Sequence, residues 1–372
     1  MARAPATANI EAPPEADRLG SFPHPRHTHR LHGHQEAEQT LAETFASGRM
    51  HHAWLLRGAE GIGKATLAYR FTRFALADLL ERDRMGGSLE IAGDTRAARQ
   101  VAVLSHPNLL LIRRPWLHKE KRFAASIPVD EVRRIRSFLQ LAAEETAWRV
   151  VIVDSADELA GPAANALLKS LEEPPVRTIF LLMSSEPGRL LPTIRSRCRT
   201  LDLAKLGAQD LKCAVSDALG ASDKDPIDES QWPRLSAIAD GSVRRALSIS
   251  ESDGLKVYAR IEELLGLLPK VDWTAAHALS DELGATAAEQ KYQSFMDLLL
   301  DVLARVIRAA ATGTPDPRLS FAAKLIPPGR LATFAELWET TVRDRADVQA
   351  LNLDRKTLIL ETISRLAAAS RS

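Results

Sequence analysis

Cysteine is scarce. Cys198 and Cys213 are the two in 372 residues, they form no Cys-x-x-Cys pair, and their number excludes a disulfide framework. A reducing cytoplasm is the expected setting. No stretch reaches the roughly 20 apolar residues of a membrane span, and the N-terminal residues lack the apolar core of a signal peptide. Neither a membrane partner nor export is therefore expected. An excess of one charge is missing as well: 49 lysines and arginines face 48 acids, a net +1. That balance gives no general electrostatic case for nucleic acid or an anionic surface, so any such contact must be local. No internal repeat is present.

What is present begins with a phosphate-binding loop that has lost one oxygen. Residues 58–65 read GAEGIGKA where a P-loop reads G-x-x-x-x-G-K and then Ser or Thr. Gly58, Gly61 and Gly63 suit a tight loop whose amides cradle phosphate, and Lys64 is placed to reach the terminal phosphates. Ala65 offers Mg²⁺ no ligand, whereas phosphoryl transfer depends on a metal bridging the last two phosphates. The flanks fit a true P-loop, with an apolar strand at 53–56 and apolar helical spacing over 67–76. Thr66 could replace the missing hydroxyl only through a register shift.

A second element of a nucleotide site is a buried strand ending in an acid that orients Mg²⁺. Residues 149–154, RVVIVD, have that form and make Asp154 the candidate. Ser155 follows, and serine is too weakly basic at neutral pH to polarise an attacking water. Asp157 and Glu158 are expected to start a helix, where negative charge meets the dipole. The losses at Ala65 and Ser155 are independent and point the same way. A self-sufficient ATPase, with Thr66 on Mg²⁺ and Asp157 as base, is the alternative that robust turnover would favour.

Further elements organise the chain. A helix is expected over 36–46, strands over 109–112, 150–153 and 178–183, and helices over 129–143 and 163–173, the last stopped by Pro174 and Pro175. Strands alternating with helices imply a mostly parallel, covered sheet. Residues 1–32, rich in Pro, Ala and Arg, read as a disordered leader. Its histidines, His24, His27, His29 and His32, with His34 just beyond, lack the cysteines or carboxylates of a metal site and read as a solvated tail. Beyond about 203 the chain turns helical, with breaks at Pro315, Pro317, Pro327 and Pro328, and 295–311 reads as a buried helix interrupted by Asp297, Asp301, Arg305 and Arg308.

The ordered series AANALLKSLEEPP at 163–175, a strand at 178–183 and PTIRSRCR at 192–199 resembles the bacterial clamp-loader subunits of the AAA+ class. In that family NALLKxLEEPP and then an S-R-C triplet follow the metal-binding strand, and Ser196, Arg197 and Cys198 match the triplet. The resemblance implies an α/β fold, an AAA+ P-loop core (33–203) with a helical lid (204–252) and an all-α C-terminal collar (253–372). It also implies that Arg197 acts in trans, as a finger on the γ-phosphate of the next subunit. A planar, permanently charged fork suits that task. GSVRRAL at 241–247 resembles the second sensor and points Arg244 towards a phosphate. Cys198 reads as a small packed side chain.

The resemblance is strong over about 31–250 and weak beyond, where NLDRK at 352–356 is the familiar stretch. A motor subunit would keep both the hydroxyl and the glutamate that this chain lacks. The chain instead is similar to the loader's stationary end subunit, whose partners are motor (tau/gamma-type) and delta subunits, and through the assembly the sliding clamp and primed DNA. No cofactor is required on this reading, and ATP bound without hydrolysis stays open through Gly61, Lys64 and Arg244. Many relatives carry a four-cysteine zinc module after the P-loop helix. Residues 78–102 contain no cysteine, so no zinc is expected. Arg113, Arg114, Lys119, Lys121 and Arg122, with Trp116 and Phe123, read as a solvated hairpin, and Arg133, Arg134 and Arg136 as solvent-facing charges.

Overall fold

The structure, a computed structural model, describes residues 14–83, 89–140, 147–251, 253–285, 288–314, 319, 321–351 and 353–371. Pro315, Pro317, Asn352, residues 1–13 of the expected leader and the end of the helix expected over 129–143 lie outside them.

The described residues form seven strands: β1 (Ala53–Arg57), β2 (Leu109–Ile112), β3 (Trp116–Leu117), β4 (Arg122–Phe123), β5 (Arg149–Val153), β6 (Thr178–Ser184) and β7 (Arg199–Asp202). Five form one parallel sheet in the order β2-β5-β6-β1-β7, and β3 pairs antiparallel with β4. Because side chains alternate across a strand, β1 sends Trp54 and Leu56 to one face and Ala53 and Leu55 to the other. The first face meets Leu67, Phe71 and Phe74 of helix Lys64–Leu76. The second meets Val132 and Ile135 of helix Val129–Gln140, and Leu167 and Leu171 of helix Gly161–Glu172. Burial on both faces is why these strands read as unbroken apolar runs. Strand β7 escapes that pattern: Arg199, Thr200 and Asp202 are exposed, and it is an edge strand pinned to β1 by the Arg57–Asp202 pair at 2.7 Å.

The leader departs from expectation over its described part. Phe22 and His24 are 2% and 1% exposed, Arg26 donates to the Ala102 carbonyl and Asp17 accepts from Arg113, while Arg18 bonds the Phe22 carbonyl within the leader. The cause lies in helix Lys64–Leu76, whose Arg70 and Arg73 are buried and need acceptors. Arg73 donates to the carbonyls of Arg26 at 2.9 Å and Thr28 at 2.8 Å, and Arg70 to that of His29 and to Glu38. Two guanidiniums that would be costly to bury unpaired thereby hold the leader in place. Nor is the histidine series a solvated tail throughout. His24 bonds Asp17 at 2.5 Å and His34 the Ile62 carbonyl at 2.7 Å.

Two compact units divide the chain. The first holds the described residues up to Glu229 together with Asp240–Arg244, and the second Ser230–Ala239 and Arg245 onward. Helix Ala208–Gly220 thus belongs with the sheet, while helix Trp232–Ala239 and most of Val243–Glu251 belong with the C-terminal unit. That second unit is helical. Its longest helix, Glu289–Thr312, buries Phe295, Met296, Leu299 and Leu303, with Phe334, Ile359 and Ile363 of later helices also buried. The two acids that interrupt the helix are partnered: Asp301 takes both Arg245 nitrogens and Asp297 takes Arg345. Asp354 caps the last helix, Arg355–Ala369, by accepting from the amides of Lys356 and Thr357. Among the described residues no helix is long and apolar enough to cross a membrane.

Candidate functional site

The fold brings Gly58, Gly61, Gly63, Lys64, Asp154 and Arg244 together at the carboxyl edge of the sheet. The P-loop follows β1 and Asp154 ends β5. A turn from Gly241 to Arg244 meets the P-loop from outside the sheet. Gly63 takes φ 114° to start helix Lys64–Leu76, a conformation open to glycine at no steric cost.

Lys64 is engaged inside this loop. Its ammonium donates to the carbonyls of Gly58 and Ala59, each at 2.7 Å, and to Ser185 Oγ at 2.9 Å. An ammonium has three N–H donors, and three protein oxygens take them. Burial lowers the Lys64 pKa, opposed by Glu60, Asp154 and Asp157. Gly61 lies against the Gly241–Arg244 turn: its carbonyl accepts from the Val243 amide at 2.9 Å, and a Cβ there would stand 2.4 Å from both Arg244 Cβ and Ser242 Oγ. Arg244 pairs with Glu60 at 3.1 Å, and its guanidinium reaches the Asp17 carbonyl at 3.4 Å.

Asp154 stands among other acids. Burial, then Asp17 and Glu158, push its pKa up to about 7, against the pull of Arg113 and Lys64. Asp17 comes from the leader, where its carboxylate binds Arg113 at 2.6 Å and His24 at 2.5 Å. Burial would raise the Asp17 pKa, but the bonds from His24 and Arg113 outweigh it and hold it below the usual range. Ser155 sits in the left-handed region at φ 52°, at the start of the turn Ala156–Glu158. Asp157 accepts the Ser185 amide at 3.1 Å and Glu158 pairs with Arg114 at 2.7 Å. Thr66 lies one residue beyond Ala65 in the helix, turned by about 100° around its axis.

Arg197 is elsewhere. It precedes β7, whose Arg199 pairs with Trp54 at the amino end of β1, whereas the P-loop leaves the carboxyl end. At about 3.3 Å per residue, the length of β1 alone separates the two ends by roughly 13 Å. Arg197 donates to the Thr193 carbonyl at 3.0 Å and to Glu172 at 2.8 Å. It lines a cavity of about 750 Å³ with His51, His52, Glu173, Ser196 and Arg199. Cys198, in the same wall, has its thiol pushed up to about 12 by burial, which suits packing rather than nucleophilic chemistry. Arg199 lies over the Trp54 ring at 4.9 Å.

Sequence reading missed Ser185, Asp17 and Glu172. Ser185 directly follows an apolar strand, a signal visible only once β6 is known to lie beside β1. The basic stretch does form a hairpin, closed by Trp116 edge-on to Phe123 at 4.9 Å. Arg113 instead faces the leader, and Arg133 and Arg134 pair with Asp130 and Glu131 along their own helix. Among the described residues no group of three or more His, Cys, Asp or Glu is arranged to hold a metal ion.

Residues 33–207 match the family described as DNA polymerase III, delta subunit. A relative from Escherichia coli, DNA polymerase III subunit delta', is 30% identical over 279 residues, which cover 75% of this chain and 77% of that protein. The Pseudomonas aeruginosa subunit delta' is 39% identical over 162 residues, 43% of this chain and 46% of the relative, so the match there spans less than half of the relative's length. Subunit tau of Bacillus subtilis is 28% identical over 217 residues, 58% of this chain and 36% of tau. Among solved structures, a gamma-subunit-related protein of Thermotoga maritima overlaps 91% of this chain and all of its own, at 16% identity and a TM-score of 0.42.

Proposed function

Because the chain belongs to the DNA polymerase III subunit delta' family, we propose that it is a non-hydrolysing member of a clamp-loader hetero-oligomer and lends Arg197 to a neighbour's ATP site. The neighbour on this reading is a motor subunit of tau/gamma type. A delta subunit completes the assembly, which places a sliding clamp on primed DNA.

One observation carries the reading: Arg197 and Lys64 lie at opposite ends of β1. An arginine side chain cannot span roughly 13 Å to a phosphate held by its own P-loop, but it is half-buried beside a cavity where another subunit's nucleotide could meet it. The local chemistry of the P-loop agrees. Ala65 supplies no metal ligand, Ser155 no base, and Asp157, the alternative base, is bonded to the Ser185 amide.

The same geometry favours a nucleotide site that holds no ATP. Lys64 would have to release three protein oxygens before it met a phosphate, and the loop around Gly61 is packed against Ser242 and Arg244. Equilibrium titration with a fluorescent ATP analogue tests this point: no saturable binding by the isolated chain is expected, and micromolar binding would overturn it.

The decisive experiment assembles the loader with wild-type chain or with Arg197→Ala, and measures ATP hydrolysis stimulated by clamp and primed DNA. Fingers of this kind are worth about three to five powers of ten at one site, and less in bulk when other sites continue to turn over. A clear loss in a complex of unchanged composition is expected. Equal rates would refute the assignment.

A further inference from the structure

Helix Gly161–Glu172 ends in two consecutive carboxylates, Glu172 and Glu173, followed by Pro174 and Pro175. That is the wrong charge for the place, because unpaired carbonyls make a helix C-terminus negative and favour cations there. Local rules broken in this way tend to mark functional positions. The structure supplies a reason: the guanidinium of Arg197 is the cation, held at this helix end by Glu172 Oε1 at 2.8 Å.

A second helix end grips it too. The Thr193 carbonyl that accepts from Arg197 at 3.0 Å belongs to the short helix Pro192–Arg195. Of five guanidinium N–H donors, one on each terminal nitrogen is thereby engaged, and three remain for another acceptor. Both protein contacts act on a side chain that lines the cavity with Ser196 and Arg199. Two points of attachment fix the plane of a rigid fork, which one point would leave free to swivel. The proline pair directly after Glu173 limits the backbone freedom of the helix end that carries the carboxylate.

We propose that Glu172 is a positioning residue for Arg197: it orients the guanidinium so that its free N–H groups face the neighbouring subunit's nucleotide. The inference rests on the trans role argued above. Glu172 touches no substrate on this account. It acts through Arg197 alone, so its removal should matter only while Arg197 is present.

The test uses the assembled loader with wild-type chain, Glu172→Gln, Glu172→Ala, Arg197→Ala and the Glu172→Ala/Arg197→Ala double variant. Stimulated ATP hydrolysis is measured as kcat and KM, and composition is checked by size-exclusion chromatography. Loss of a charge-assisted contact that orients the fork should lower kcat by about five- to tenfold in Glu172→Ala with little change in KM, and by less in Glu172→Gln, which keeps an acceptor. In the double variant the rate should equal that of Arg197→Ala, since a residue acting through another adds nothing once that partner is gone. A wild-type kcat in Glu172→Ala beside a slow Arg197→Ala would overturn the positioning role and leave the finger intact. A faster Glu172→Ala would overturn it too, making the carboxylate a restraint on Arg197 rather than a guide. Multiplying losses would assign Glu172 a separate structural task and likewise overturn it. A wild-type rate in Arg197→Ala would remove the finger itself, an outcome distinct from the others.

Discussion

Replacing Lys64 with methionine separates a catalytic lysine from a structural one. In an ATPase the change abolishes turnover, because the ammonium serves the phosphates. Here the ammonium serves the loop, so the loss should appear in stability. Three bonds are removed, at 2.7, 2.7 and 2.9 Å, and methionine keeps most of the buried stem. Bonds to a charged donor contribute about 1.5–3 kcal/mol each, but they share one group, and relief of the lysine's burial offsets part of the loss. The net expected cost is about 1–3 kcal/mol, or about 2–4 °C of melting temperature per kcal/mol for a unit of this size. Urea and thermal unfolding of the isolated chain would measure it. Loader assembled with the variant should hydrolyse ATP at the wild-type rate. Unchanged stability together with lost ATP binding or turnover would refute the structural role of Lys64 and restore the alternative of a working site.

Other substitutions probe the surroundings of that loop. Arg73→Met deprives the Arg26 and Thr28 carbonyls of their donor, and should lower stability by about 1.5–3 kcal/mol. It should also speed amide exchange and trypsin cleavage around Arg26 and Arg30; slow exchange in the variant would show that the leader is held by other contacts. Asp154 has a folded pKa of about 7 against an ordinary 3.8, so the unfolded chain gives up its proton first and the folded state loses stability as pH rises between those values. Asp154→Asn removes the penalty and should stabilise the chain at pH 8 by about 1–3 kcal/mol, with the gain vanishing near pH 4. A destabilised variant at pH 8 would mean that the carboxylate is held charged.

Much of the parallel sheet was legible in the sequence because burial on both faces leaves a strand no polar positions: 109–112 and 178–183 could be read from composition alone. The P-loop was legible from its glycine and lysine spacing, and the series from Ala163 to Cys198 from its resemblance to a known family. Strand β7 was not, because an exposed edge strand carries no apolar alternation and exists through its pairing with β1. The leader misled for a related reason. Its composition cannot build a core, yet it needs none, because buried Arg70 and Arg73 on another element require its carbonyls.

The sequence by itself determined which groups stand at the loop and at the end of β5, since the lack of a hydroxyl at Ala65 and of a carboxylate at Ser155 is a property of single residues. Tertiary structure alone decided what the surviving groups do: it turned the Lys64 ammonium onto its own loop, set Asp17 beside Asp154 across 137 residues of chain, and placed Arg197 at the far end of β1 with Glu172 at its side. Distances between residues remote in sequence depend on how strands are ordered and paired, and that order is written in no local stretch of the chain.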